Sequence, residues 1–346
     1  MSGYDGAVAR ERSSRVPAIT PPTGSPGARI LSVGSYLPER VVTNDELCEV
    51  LDSSDQWIRD RSGIVTRRRA AKDESVVDLA EKAALQAIER AGLVPADIDA
   101  VLVATVTHPY QLPSAAALLV HRIGATPAAA LDVAAACAGF AYGVGLASDM
   151  VRAGSAGTVL LVGVDRMTDL IDPTDRGTAF IFGDGAGAVV IGRSETPEIG
   201  PTVWGSDGAQ WGAIAQNRSW LEVKDGAPYP SLFMAGQAVF RWAVWSMAPE
   251  AQKAMDSAGV TADDLAAFIP HQANARIIDA LAKQLRLPEH VVVARDVVEH
   301  ANTSAASIPI AMDRLLSTGA APSGGLALLI GYGSGLTHAA QVVRLP

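Results

Sequence analysis

The amino-acid sequence predicts an α/β fold built from two related halves, and three observations carry that prediction. Its 346 residues are 49% hydrophobic and only 19% charged, which excludes a disordered chain. Short β-branched runs alternate with amphipathic helical patterns, the order that yields parallel strands covered by helices. Three short segments also recur in order at nearly constant offset. Residues 91–100 resemble 258–267 (offset 167), 130–133 resemble 294–297 (164), and 160–163 resemble 328–331 (168). Single matches of this length arise by chance, whereas three in the same order describe a duplication.

Taken in chain order, residues 1–28 are rich in Arg, Ser, Pro and Gly without apolar periodicity, and are expected to form a disordered extension. They lack the continuous apolar core of a signal peptide. A strand-like run begins at Arg29. Thr43 or Asn44 caps a short amphipathic helix carrying Cys48, which is read as a packing residue. Residues 77–91 repeat apolar side chains at helical spacing and stop at Gly92. Residues 99–105 are short, apolar and β-branched, as buried parallel strands are. The halves are expected at 29–195 and 196–346. In such an architecture a site belongs where corresponding strand ends of the two halves meet.

Several function classes are disfavoured. A net charge of −9 argues against general nucleic-acid binding. Two cysteines are too few for a disulfide scaffold and fit a reducing, cytoplasmic setting. No stretch has the apolar length of a membrane span. His108, His121, His290, His300 and His338 follow no metal-ligand spacing, so no metal is expected. Gly183–Gly187 has the wrong spacing for a dinucleotide fingerprint and is read as close packing between the halves.

Cys137 lies where a strand-like run, 131–133, passes into a small-residue helical run. A thiol at a helix N-terminus meets the positive end of the dipole, which favours the nucleophilic thiolate; a small buried hydrophobe is the other reading. His271 lies at the end of the second-half strand that mirrors 99–105. Asn302 follows Asp296-Val297, and the 164-residue offset puts it next to the position equivalent to Cys137. A Cys, a His and an Asn at converging strand ends form a set able to run acyl transfer through a cysteine nucleophile.

Six motifs add to this reading: Asp55-Gln56-Trp57-Ile58 with Arg61-Ser62-Gly63-Ile64, the Cys137 segment, Asp172-Pro173-Thr174-Asp175-Arg176-Gly177-Thr178, Phe182 through Ala188, Pro270-His271-Gln272-Ala273-Asn274, and Asn302-Thr303-Ser304-Ala305-Ala306-Ser307. With them the sequence resembles β-ketoacyl-acyl carrier protein synthase III, an initiating condensing enzyme of the thiolase-like superfamily, from about Arg29 to Leu345.

The resemblance implies a thiolase-like, five-layered α-β-α-β-α fold and a homodimer without a cofactor. It makes Cys137 the acylated nucleophile, and His271 and Asn302 the donors to the malonyl thioester oxygen. The backbone N–H groups of Cys137 and Ser334 would form the acyl oxyanion hole, with Ser334 standing where the family usually has glycine. Trp57 and Arg176 would hold the CoA adenine, with Arg61 and Asn274 also on the CoA path. Arg276, Lys283 and Arg241 would form a basic face for malonyl-acyl carrier protein; a solvated helix surface is the plainer reading of each. Leu112 and Phe182 would shape the acyl pocket. Leu112 matches a position often held by Phe and contributed across the dimer, so branched or medium-length acyl-CoA primers are expected. Alternatives within the family are a polyketide starter-unit synthase and a non-decarboxylating acyltransferase.

Overall fold

The computed structural model describes residues 19–20 and 22–346. Most of the expected disordered extension (1–28) therefore lies outside the described residues, but its end does not behave as expected. The Ser25 amide donates to the Arg152 carbonyl at 3.2 Å. Strand β1 (Gly27–Tyr36) starts two residues before the predicted run, with Ala28 buried. Gly24 permits this path, because a Cβ there would stand 1.8 Å from the Arg152 oxygen.

The first half continues through β2 (Arg40–Thr43), α1 (Asn44–Cys48), α2 (Asp55–Ser62), β3 (Thr66–Arg69), α3 (Val76–Arg90), β4 (Ala100–Ala104) and α4 (Ala115–Ile123). It ends with β5 (Ala129–Val133), α5 (Gly139–Ala153), β6 (Thr158–Arg166) and β7 (Asp184–Ser194). The second half has β8 (Val203–Ser206), β9 (Ile214–Gln216), β10 (Leu232–Met234), α6 (Gly236–Ala258), β11 (Leu265–Pro270) and α7 (Ala275–Gln284). It closes with β12 (Val292–Val293), α8 (Val297–His300), α9 (Ser307–Ser317), β13 (Leu326–Gly333) and β14 (Thr337–Arg344).

The duplication is explicit in the sheets. One five-stranded sheet runs β1-β7-β6-β4-β5 and the other β8-β14-β13-β11-β12. In each, three parallel strands are followed by two antiparallel ones. The central strands are continuously apolar because both faces are covered. Along β4, Leu102 points to the core between the sheets while Val101 and Val103 point outward to α3 and α4. Along β13, Leu329 faces that same middle core while Leu328 and Ile330 face α6 and α7. Helices α5 and α9 fill the middle layer through Phe140, Val144, Ile308 and Met312. The result is the α-β-α-β-α stack.

The structure corrects the expected equivalence of Cys137 and Asn302. Each half has a single 3₁₀ turn before its middle helix, Ala136–Ala138 before α5 and Ser304–Ala306 before α9. Both turns open on a non-glycine residue of positive φ, Ala136 at 46° and Ser304 at 53°. The local offset is thus 168, so Ala305 is the counterpart of Cys137 and Ala134 that of Asn302. The four-residue helix α8 has no equivalent between β5 and its turn, and it shifts the offset from 164. A glycine on each half's β6 or β13 packs on the other half's turn. A Cβ on Gly163 would lie 2.3 Å from the Ala305 oxygen, and one on Gly331 would lie 3.1 Å from the Ala138 Cα. The Gly183–Gly187 run does pack between halves: a Cβ on Gly187 would meet Pro309 at 2.7 Å.

Candidate active site

Cys137 is set in the turn that leads into α5, pressed against the end of β13. Gly333 allows that approach, since a Cβ there would stand 2.9 Å from the Cys137 Cβ and 3.3 Å from its Sγ. The thiol donates to the Ser304 Oγ at 3.5 Å. Sequence position alone favoured a thiolate at the helix N-terminus. Burial outweighs the dipole and pushes the thiol up to about 12, so the resting group is the protonated thiol.

His271 follows the end of β11, its amide bonded to the Ile330 carbonyl at 2.8 Å. Its Nδ1 lies 2.7 Å from the Ser307 Oγ, which also accepts from the Gln272 N–H. Ser307 therefore has its own proton to give to Nδ1, and the ring carries its hydrogen on Nε2. Tyr332 packs edge-on at 5.3 Å. Burial holds the imidazole far below its usual range, at about 3, so it is neutral at physiological pH. Asn302 is fixed from both sides. Its backbone bridges to Phe182 and its Oδ1 accepts the Ser304 N–H at 2.8 Å. That bond leaves the Nδ2 hydrogens as the free end of the amide.

The histidine has a measurable thermodynamic consequence. Its folded-state pKa lies below the unfolded value of 6.5, so between these values the unfolded chain binds the extra proton and acid erodes stability. One such group contributes about 1.4 kcal/mol per pH unit within the window. His300, held at about 4 chiefly by burial, acts in the same sense. In urea titrations between pH 6 and 4.5, the stability of His271→Gln is expected to fall less steeply than wild type by about one proton. Identical slopes would contradict a buried neutral His271.

Cys137, His271 and Asn302 open on one cavity of about 680 Å³. Each half inserts a small subdomain between its first strand and first helix, and the two insertions form the cavity walls. From the first comes α2, with Trp57 between two guanidinium groups. Arg61 and Arg176 lie 5.6 and 5.4 Å from its ring centroid, and Phe180 supports it edge-on at 5.3 Å. From the second come β9 and β10, which supply Ile214, Leu232 and Met234. Ser334 ties this wall to the loop after β13, because its hydroxyl donates to the Ile214 carbonyl at 2.6 Å. Asn274 lines the cavity, but its side chain caps α7 by accepting from Arg276 N–H and donates to the Arg61 carbonyl.

The structure thus brings most of the expected residues to this cavity: Trp57, Arg61, Arg176, Phe182, Arg241, Asn274, Arg276 and Ser334 all line it. Two do not reach it. Leu112 stands 85% exposed on the loop after β4, and Lys283 lies exposed on the outer face of α7. Sequence reasoning assigned no role to Ser304 and Ser307, although both stand in the Asn302–Ser307 motif. It also missed the β9–β10 wall, whose short strands carry no periodicity to read. Among the described residues, no acid, histidine or cysteine cluster suits a metal ion, and no helix is long and apolar enough to cross a membrane.

Comparison with known proteins gives the same direction. Residues 131–208 match the model of 3-oxoacyl-[acyl-carrier-protein] synthase III, and residues 255–345 match that of its C-terminal region. The chain is 54% identical over 330 residues to beta-ketoacyl-[acyl-carrier-protein] synthase III of Streptomyces glaucescens, covering 95% of this chain and 99% of that protein. The chain belongs to the synthase III family. A synthase III of Mycobacterium avium is 53% identical over 95% of this chain and 98% of its own. Among solved structures, the priming β-ketosynthase of the R1128 polyketide pathway superposes with a TM-score of 0.93 at 46% identity, covering 95% of this chain and 99% of that one. The synthase III of Aquifex aeolicus gives 0.85 at 37% identity, covering 92% and 100%. The protein is accordingly an acyl-transferring condensing enzyme of the thiolase-like fold.

Proposed function

We propose that this synthase III joins an acyl-CoA primer to malonyl-acyl carrier protein through an acyl-enzyme on Cys137, giving a 3-oxoacyl-acyl carrier protein that begins fatty acid synthesis. The observation that carries the reading is the state of three side chains on one cavity. Cys137 is a protonated thiol, while His271 and Asn302 each have their acceptor end engaged and only donors left for a ligand.

In the first stage the Cys137 sulfur attacks the primer thioester and CoA leaves. Negative charge on the tetrahedral oxygen falls to the backbone N–H groups of Cys137 and Ser334. In the second stage the malonyl C–C bond breaks, CO2 departs, and the electron pair moves onto the thioester oxygen as an enolate. His271 Nε2–H and Asn302 Nδ2–H stabilise that oxygen. Neutral, prepositioned donors in a buried site need no reorganisation as the charge develops. The enolate carbon then attacks the acyl carbonyl and Cys137 leaves as thiolate. The cycle calls for no resident cofactor.

Trp57, flanked by Arg61 and Arg176, offers a stacking face and positive charge to the CoA nucleotide; Asn274 shapes the path beside it. Arg241 and Arg276 at the mouth, with Lys283 farther along α7, form a basic rim for the acidic carrier protein. A homodimer accounts for Leu112, Tyr110 and Leu131, exposed apolar side chains on and beside the edge strand β5. In it, Leu112 reaches the partner's pocket. Both cysteines are free, in keeping with a cytoplasmic enzyme.

The acyl pocket is bounded by Phe182, Leu232, Met234 and Ile214, a wall with no charged side chain near the acyl end. Turnover of isobutyryl- and hexanoyl-CoA is therefore expected to equal or exceed that of acetyl-CoA in a condensation assay. Strict acetyl specificity would refute the primer assignment. The likeness to the R1128 priming enzyme favours one further reading, starter-unit selection for a polyketide, which uses the same chemistry.

A further inference from the structure

The mechanism above leaves one buried carboxylate unused, and it stands directly behind the nucleophile. Asp165 ends β6 with no exposure to solvent. Its Oδ1 accepts from the Val106 amide at 2.8 Å and the Thr107 and Thr105 hydroxyls at 3.0 and 3.1 Å. Its Oδ2 accepts from the Ala305 amide at 3.3 Å. The remaining bond comes from the Ser304 hydroxyl. Because Ser304 gives its only proton to Asp165, its oxygen is left to accept, and it accepts from the Cys137 thiol at 3.5 Å. Ser304 is held in this pose at a φ of 53° by the Asn302 Oδ1. No cation neutralises Asp165 among the groups that shape its titration.

We propose that Ser304 and Asp165 form a proton relay for Cys137, with Ser304 as the group touching the reacting sulfur and Asp165 as the positioning residue that holds the proton. The inference rests on the acyl-enzyme reading and adds the fate of the thiol proton to it. As sulfur attacks the thioester, the S–H proton passes to the Ser304 Oγ, and the Ser304 proton passes to the Asp165 carboxylate. The Sγ–C bond forms, the C–S bond to CoA breaks, and CoA leaves as thiolate to be protonated by water. Asp165 stays protonated during the life of the acyl-enzyme. When condensation expels Cys137 as thiolate, the same two protons return and the resting state is restored.

Charge decides in favour of this path. Ionising Cys137 by loss of its proton to solvent would put a thiolate beside a buried carboxylate, two like charges in a medium that screens poorly. The relay only moves one existing negative charge across two hydrogen bonds. The other titratable groups facing this pair are Tyr332, which burial keeps protonated, and neutral His271 on the cavity wall.

The test is the rate of alkylation of Cys137 by iodoacetamide, read by peptide mass spectrometry from pH 6 to 10, in wild type, Asp165→Asn, Ser304→Gly and the double variant. Glycine keeps the Ser304 backbone conformation and its amide bond to Asn302. The relay requires both single variants to be slowed at pH 7 by about tenfold or more, and the double variant to be no slower than the worse single one. If Asp165 acted only through its charge, Asp165→Asn would free the thiolate and speed alkylation, and that result would overturn the proposal. A Ser304→Gly rate equal to or above wild type would overturn it as well, even if Asp165→Asn does not fold. Alkylation needs neither CoA nor carrier protein, so failure of wild type to accept an acyl group would count against the acyl-enzyme reading and not against the relay.

Discussion

Cys137→Ala is expected to lose acylation and condensation while still releasing CO2 from malonyl-acyl carrier protein. Removing the nucleophile removes the covalent intermediate, and losses above about 10⁴-fold are the usual scale for such a change. The decarboxylating donors do not depend on the sulfur. His271 is held by Ser307 and Asn302 by the Ser304 amide, and neither bond involves Cys137. The thiol's own contact, to the Ser304 hydroxyl, is long and lost without strain. Assays of ¹⁴CO2 release and of radiolabelled acyl transfer on the same preparation separate the two outcomes. Loss of both together, in a folded variant, would mean that Cys137 supports the site rather than reacting in it.

The opposite division is expected for His271→Ala and Asn302→Ala. Each removes one donor to the enolate oxygen, and loss of one such donor costs about 10²–10³-fold in rate. CO2 release should fall by that factor in either variant, whereas Cys137 should still take the acyl group from acyl-CoA. Because both donors serve one oxygen, the double variant is expected to fall short of the product of the two effects. Equal impairment of acylation and decarboxylation in the single variants would contradict the assignment of these residues to the second stage.

Much of this was legible in the sequence, and the reasons are physical. Strands buried on both faces, such as β4 and β13, must be continuously apolar, so their repetition exposed the duplicated halves. Glycines 163 and 331 recur because each lets a strand touch the opposite half's turn. The clustering of Cys137, His271 and Asn302 followed from that symmetry and from the motifs. What failed was finer. The four residues of α8 moved the true counterpart of Cys137 to Ala305. The protonation state of Cys137 depends on burial by the other half, which a local helix-dipole argument does not contain. Asp165 was silent because a lone acid at a strand end has no signature; its partners at 105–107 and 304–305 are distant in the chain.

The most direct measurement is intact-protein mass spectrometry of the wild type in two steps. Incubation with hexanoyl-CoA is expected to add one hexanoyl group, located on Cys137 after digestion. Addition of malonyl-acyl carrier protein should then remove it in step with CO2 release and 3-oxooctanoyl-carrier formation. Wild-type protein that makes the product without Cys137 ever carrying the acyl group would contradict covalent condensation at this site.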